Sequence, residues 1–222
     1  MAEQDPRPEA GGYTMFLKDG KLVAAGSPPQ QEGMPSFWTT YLASDDVDAA
    51  AVRIREAGGT LMVEPFDVFD AGRMTVAQDP TGAAFGVWQA GEHNGAQLAN
   101  EPGTLTWNEC HTTDAPAAEA FYRAVFDYEV DTWDMGGGEP YRIFTVGGKG
   151  VAGLWQIGAQ MAGTPPNWAT VFSVADTDES VARAQELGAT VVMPPSDVPE
   201  VGRFAVLQDP IGAVFQVLAS PS

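Results

Sequence analysis

Ten residues beginning at Gln78, QDPTGAAFGV, return as QDPIGAVFQV at Gln208, 130 positions later. Slid by that offset, the chain aligns with itself without a gap from Trp38 to Trp88, and about twenty positions agree, well above a chance self-match. Trp38 falls on Trp168, Asp48 on Asp178, Arg53 on Arg183 and Arg73 on Arg203. The period exceeds that of a solenoid repeat, so it implies two homologous halves. A weaker echo at an offset of 128 relates YTMFLKDGKLVAAG from Tyr13 to YRIFTVGGKGVAGL from Tyr141.

Both copies have one grammar. FWTTYLAS and NWATVFSV are β-rich runs. DDVDAAAVRIREAGG and DTDESVARAQELGA have helical spacing, with Asp at the start and Gly at the end. TLMVEP and TVVMPP then predict strands stopped by proline. The repeated decamer is a hairpin turn: Pro presets one turn position and Gly supplies a positive φ. The unit is therefore βαβββ, and the chain is α+β. TLTWNECHT, DAPAAEAFYRAVF and YEVDTW extend the pattern ahead of Tyr141, so the second half holds two such units in series. The glycine-rich DMGGGEP lacks the lysine and the strand–loop–helix setting of a phosphate loop, and reads as a flexible lid or a hairpin connection.

Among 222 residues the net charge is −19, which repels phosphate backbones and anionic headgroups and argues against nucleic-acid and membrane partners. One cysteine, Cys110, rules out an intramolecular disulfide. No apolar run approaches a membrane span, and MAEQDPRPEAGG has no signal-peptide pattern, so a cytoplasmic protein is expected.

On TTDAPAAEAFYRAVF, the DDVDAAAVRIREAGG helix and the two DPxGAxF hairpins, the chain resembles the vicinal oxygen chelate superfamily of glyoxalases, bleomycin resistance proteins and dioxygenases. The resemblance implies tandem glyoxalase-like domains built from paired βαβββ units that cup a ligand. It places an N-terminal domain at 1–90, a linker at 91–101 and a complete C-terminal domain at 102–222. The first unit is expected to be truncated, lacking its opening strand and helix, and a homodimer would cover that open edge.

Enzymes of that superfamily hold a divalent metal with His and Glu from the first and last strands of each unit. Carried over, the first-strand position falls on Trp107, and the last-strand positions fall on Gly86 and Gln216. None is a metal ligand, and the chain has two histidines, so no metal and no cofactor are expected. Strand alternation places Glu109 and His111 beside Trp107 on the inner face, with Cys110 behind them. Glu109 is then a candidate general base, with His111 sharing the proton. Trp107, Trp168, Trp155, Gln216 and Trp38 are the expected ligand walls. Arg73 and Arg203 are expected to pair with nearby carboxylates such as Asp70 and Glu200.

Three readings stay open, one of them a structural or interaction module suggested by the shortened first domain. Another is a metal-free protein that binds or sequesters a small molecule, neutral or cationic and aromatic. The third is a metal-independent isomerase, lyase or hydroxylase-type enzyme using Glu109.

Overall fold

The α-helices start where an aspartate precedes a run of helix formers. Asp46 caps α1 (Val47–Glu56) by accepting the Ala49 N–H at 2.9 Å. Asp114 caps α2 (Ala115–Phe126) through Ala117 at 3.0 Å, and Asp176 caps α3 (Thr177–Glu186) through Glu179 at 2.9 Å. Each cap satisfies a donor that the first helical turn leaves open, worth about 1 kcal/mol. Asp46 and Asp176 lie 130 apart, so the repeat specifies the helix start as well as the hairpin.

The computed structural model describes residues 1–5, 7–29, 33–134, 139–161 and 163–221. Met135–Gly138 of the DMGGGEP stretch lie outside the described residues. Three full βαβββ modules run along the chain. The first is β4 (Tyr41–Ala43), α1, β5 (Thr60–Val68), β6 (Gly72–Gln78) and β7 (Ala84–Ala90). The second is β8 (Leu105–Thr112), α2, β9 (Glu129–Trp133), β10 (Tyr141–Val146) and β11 (Lys149–Gln156). The third is β12 (Asn167–Ser173), α3, β13 (Thr190–Val198), β14 (Gly202–Gln208) and β15 (Val214–Ala219). Ahead of them, β1 (Ala2–Gln4), β2 (Thr14–Lys18) and β3 (Lys21–Gly26) match β9–β11 in order and antiparallel pairing.

The chain divides into two units that cut across the sequence halves 1–90 and 102–222. One comprises Met1–Trp38, Gly95–Trp107 and Thr170–Ser222; the other comprises Thr39–Asn94 and Asn108–Ala169. The first unit holds β1-β2-β3 and the run β13-β14-β15-β12. The second holds β4-β7-β6-β5 and the run β8-β11-β10-β9. Strands β8 and β12 each have residues in both.

The second unit mixes the halves because its apolar faces find their partners there. Val47 and Ile54 of α1 and Phe85 and Val87 of β7 share one buried cluster with Phe121, Tyr122 and Val125 of α2 and with Leu154 of β11. The Phe85 ring lies 6.0 Å from Phe121 and 5.5 Å from Tyr122, both edge-on. Arg53 of α1 donates to the Val125 carbonyl of α2 at 2.8 Å. Each large side chain buried this way contributes about 2 kcal/mol. In the first unit a smaller cluster gathers Val181 of α3 with Ala205, Leu207 and Val217.

Pro65 and Pro195 do not stop their strands, contrary to the sequence expectation. β5 continues to Val68 and β13 to Val198. Each strand ends its sheet order, where a residue without an N–H is tolerated. The register shifts between Val63 and Phe66 and between Met193 and Ser196. Proline and bulge together blunt two edges that would otherwise invite strand addition.

Arg73 pairs with Asp48 at 2.8 Å and Asp67 at 2.9 Å, not with Asp70 as the sequence suggested. Arg203 repeats this with Asp178 and with Asp197 at 3.0 Å rather than with Glu200. Chain neighbours lose here to residues that face the arginine across the strand pair and from the helix start. Hydrogen bonds from the guanidinium hold Asp48 and Asp178 below the usual carboxylate range. That preference favours the fold above the ordinary carboxylate pKa and is lost as pH falls through and below it. Both pairs are solvent-exposed, so they set local geometry more than stability.

Candidate small-molecule site

The repeated decamer first makes a turn. Asp79 and Asp209 each take the Ala N–H four residues on, Ala83 at 3.1 Å and Ala213 at 2.9 Å. Gly82 and Gly212 both adopt φ 103°, as the turn reading requires. Beyond the turn the copies part. Asp209 is half-buried, whereas Asp79 is 4% exposed and its second oxygen turns into the core. There it accepts from Tyr122 Oη at 3.0 Å, and Tyr122 Oη accepts from Trp168 Nε1 at 2.8 Å. The Cys110 thiol sits 3.8 Å from Asp79 Oδ2 and 3.9 Å from Tyr122 Oη.

This network corrects one sequence expectation. Trp168 is 5% exposed and belongs to the buried core cluster, so it is not a ligand wall. Its indole N–H needs a buried acceptor, and Tyr122 of α2 supplies one. Cys110 is buried as expected, and burial pushes its thiol well above the ordinary range. Too little thiolate forms at neutral pH for ready reaction. Native protein should therefore release no chromophore from DTNB over minutes in which urea-unfolded protein reacts fully; rapid reaction without denaturant would contradict this packing.

On the opposite face of β8 the alternation holds. Glu109 and His111 meet, with Oε2 and Nε2 3.2 Å apart. Their side chains are 21% and 10% exposed, so the pair is neither sealed nor fully solvated. Tyr141 completes the cluster by donating its hydroxyl to Glu109 Oε1 at 2.7 Å. The register explains the reach. Arg142 pairs with Leu154, which brings Tyr141 alongside Trp155. Trp155 in turn pairs with His111, and Gly153 with Glu109. With no side chain at Gly153, the phenol crosses diagonally to the carboxylate. Trp155 lies beside it, its ring 6.0 Å from Tyr141 and 36% exposed.

Of the expected wall residues, Trp155 is the one the fold places in this cluster. Trp107, Gln216 and Trp38 belong to the other unit. There Trp38 packs edge-on to Phe172 at 4.9 Å, and its buried indole N–H has no hydrogen-bond partner among the described residues. Gln216 pairs in register with Val171. Tyr141 is the functional candidate that sequence reasoning did not single out, although its match to Tyr13 marked it as a repeat position. Shallow grooves at α3 and around Asp197–Pro221 touch none of these residues.

Residues 107–218 match the model of the glyoxalase-like domain, and residues 2–87 match that of the Glyoxalase/Bleomycin resistance protein/Dioxygenase superfamily. A Mycobacterium tuberculosis protein named "Putative glyoxylase CFP32" is 44% identical over 220 residues, 97% of this chain and 84% of that one. The chain belongs to this superfamily. A second superfamily relative, "Anthracycline biosynthesis protein DnrV" of Streptomyces peucetius, is 42% identical, covering 95% of this chain and 81% of that one. The 2,2',3-trihydroxybiphenyl 1,2-dioxygenase of Sphingomonas wittichii shares the fold with a TM-score of 0.61 at 12% identity, over 99% of this chain and 81% of that one.

Metal-dependent members of the superfamily need three or four converging ligands. Among the described residues no three His, Cys, Asp or Glu side chains come together in that way. Glu109 and His111 supply two donors, and Tyr141 already occupies one carboxylate oxygen. Gly86 and Gln216 stand where the resemblance puts carboxylates. The described residues therefore do not bring three ligands together. No helix among the described residues is long and apolar enough to cross a membrane.

Proposed function

We propose that this chain is a metal-free small-molecule-binding protein of the glyoxalase/bleomycin resistance superfamily, working in the cytoplasm. The observation that carries the reading is Glu109, held between Tyr141 and His111 on a largely covered sheet face beside the more exposed Trp155. An indole wall with a few fixed polar groups suits a small ligand. A carboxylate acceptor under a net charge of −19 favours a neutral or cationic one. The Streptomyces relative named for anthracycline biosynthesis supports a flat aromatic compound.

The 3.2 Å Glu109–His111 contact also favours a second reading, a metal-independent enzyme in which Glu109 removes a proton and His111 relays it. One experiment serves both. Glu109→Gln, Tyr141→Phe and Trp155→Leu are compared with the parent by equilibrium dialysis against a panel of flat aromatic amines and phenols. The binding reading expects Glu109→Gln and Trp155→Leu each to weaken the best ligand about tenfold or more. Unchanged affinity in both would sink it. Conversion of the ligand by the parent but not by Glu109→Gln, at equal affinity, would establish the enzyme instead. Metal analysis of the same preparation checks the remaining premise: one equivalent of bound zinc, iron or manganese overturns the metal-free reading.

A further inference from the structure

The three aspartate caps give the α-helices a common count. The seventh, eighth and eleventh residues after the cap are Arg53, Ile54 and Ala57 along α1, and Phe121, Tyr122 and Val125 along α2. These positions meet each other. Arg53 donates to the Val125 carbonyl at 2.8 Å. A Cβ at Gly59 would lie 2.7 Å from Phe121 and 2.9 Å from Ile54, so those two side chains converge where α1 ends. Ile54, Tyr122 and Val125 are fully buried, and Ala57 packs against the same cluster. One face of a module's helix thus pairs with the same face of another module's helix.

The matching residues of α3 are Arg183, Ala184 and Leu187, and there the face is uncovered. Leu187 is 63% exposed, Arg183 is exposed, and both line a shallow groove with the half-buried Ser180 and Ala184. The opposite side of α3 is filled, with Val181 packed on Ala205, Leu207 and Val217. Size is also redistributed along the open face. Small Ala184 stands where α1 and α2 carry Ile54 and Tyr122, and large Leu187 stands where α1 carries Ala57. A hollow and a knob therefore lie one turn apart on the same helix, a self-complementary pattern that a two-fold axis satisfies.

We propose that this face of α3 joins two copies of the chain about a two-fold axis, α3 against α3. Leu187 of each copy fills the hollow over Ala184 of the other. Arg183, now 2.8 Å from Glu186, stands where Arg53 does and reaches the last carbonyls of the second copy's α3, which the helix dipole makes good acceptors. The second copy is the occupant because α1 and α2 cover each other, leaving α3 as the described helix that offers this face. The sequence expectation put a dimer over the shortened first module, whereas this contact lies in the last. A pair of ten-residue helices makes a small interface, and two chains of net charge −19 repel, so the dissociation constant is expected at about 100 µM and falls as salt rises. The proposal does not rest on the Glu109 cluster.

The test is sedimentation velocity of the full chain from micromolar to millimolar concentration, in about 0.3 M salt to screen the general repulsion. The parent should show a monomer–dimer equilibrium. Leu187→Glu should weaken it about tenfold or more, and Arg183→Ala about threefold. Val52→Glu adds the same charge at a position of α1 that is 51% exposed, and should change the equilibrium by less than about twofold. Near-ultraviolet circular dichroism checks that each variant is folded, and Leu187→Ser decides in place of Leu187→Glu should the latter unfold. A parent that stays monomeric throughout, or a dimer that Leu187→Glu leaves intact, overturns the proposal. Equal weakening by Val52→Glu also overturns it, because added charge alone would then explain the loss.

Discussion

Asp79→Ala is expected to lower stability by about 3–5 kcal/mol, while Asp209→Ala at the matching turn lowers it by about 1 kcal/mol. Both substitutions remove a turn acceptor. Asp209 Oδ1 takes the N–H groups of Ile211 and Ala213. Asp79 Oδ1 takes those of Thr81, Gly82 and Ala83 and the Thr81 hydroxyl. The larger cost comes from Oδ2. Without it the Tyr122 hydroxyl, fully buried, loses its acceptor inside the core. Tyr122→Phe should cost about 2 kcal/mol, because it strands both the Asp79 oxygen and the Trp168 N–H. Urea unfolding followed by circular dichroism measures all three. Equal losses at Asp79 and Asp209 would mean that the buried arm of the network contributes nothing.

Residues 102–222 expressed alone are expected to show no cooperative unfolding transition, although they contain a whole family-model match at 107–218. Phe121, Tyr122 and Val125 of α2 pack on Phe85, Val87, Val47 and Ile54, all supplied by the other half. Removing those four side chains exposes apolar surface worth about 8 kcal/mol, comparable with the net stability of a typical domain. Mixing the fragment with residues 1–101 should restore near-ultraviolet circular dichroism and a transition. A sharp transition in the isolated fragment would show that each half folds by itself.

Local chemistry was legible and pairing was not. The Asp helix caps, the positive-φ glycines of the hairpins and the alternation along β8 depend on residues within a few positions of each other, and all are found. Glu109 and His111 were readable as same-face neighbours for that reason. Tyr141 is 32 residues from Glu109, and its contact depends on strand register and the gap at Gly153. Trp38 and Trp168 are the same letter in the same repeat, yet among the described residues one indole N–H is satisfied by Tyr122 and the other has no partner. Pro65 and Pro195 look like strand ends until their edge position is known. In each case the deciding partner is distant in sequence, and only tertiary packing selects it.

The interleaving of the two units also sets an order of events at the ribosome. Thr39–Asn94 emerges with its apolar helix face uncovered, and the segment that covers it, Asn108–Ala169, follows only after a connecting stretch. At about 5–20 residues per second that interval lasts several seconds, long enough for a chaperone or a neighbouring nascent chain to find the face first. Met1–Trp38 waits longer still, because its companions in Thr170–Ser222 are made after Asn108–Ala169. The second unit, Thr39–Asn94 with Asn108–Ala169, can therefore close before the segments of the first are all made. Slow codons between the halves would lengthen the vulnerable interval, whereas faster synthesis there would shorten it.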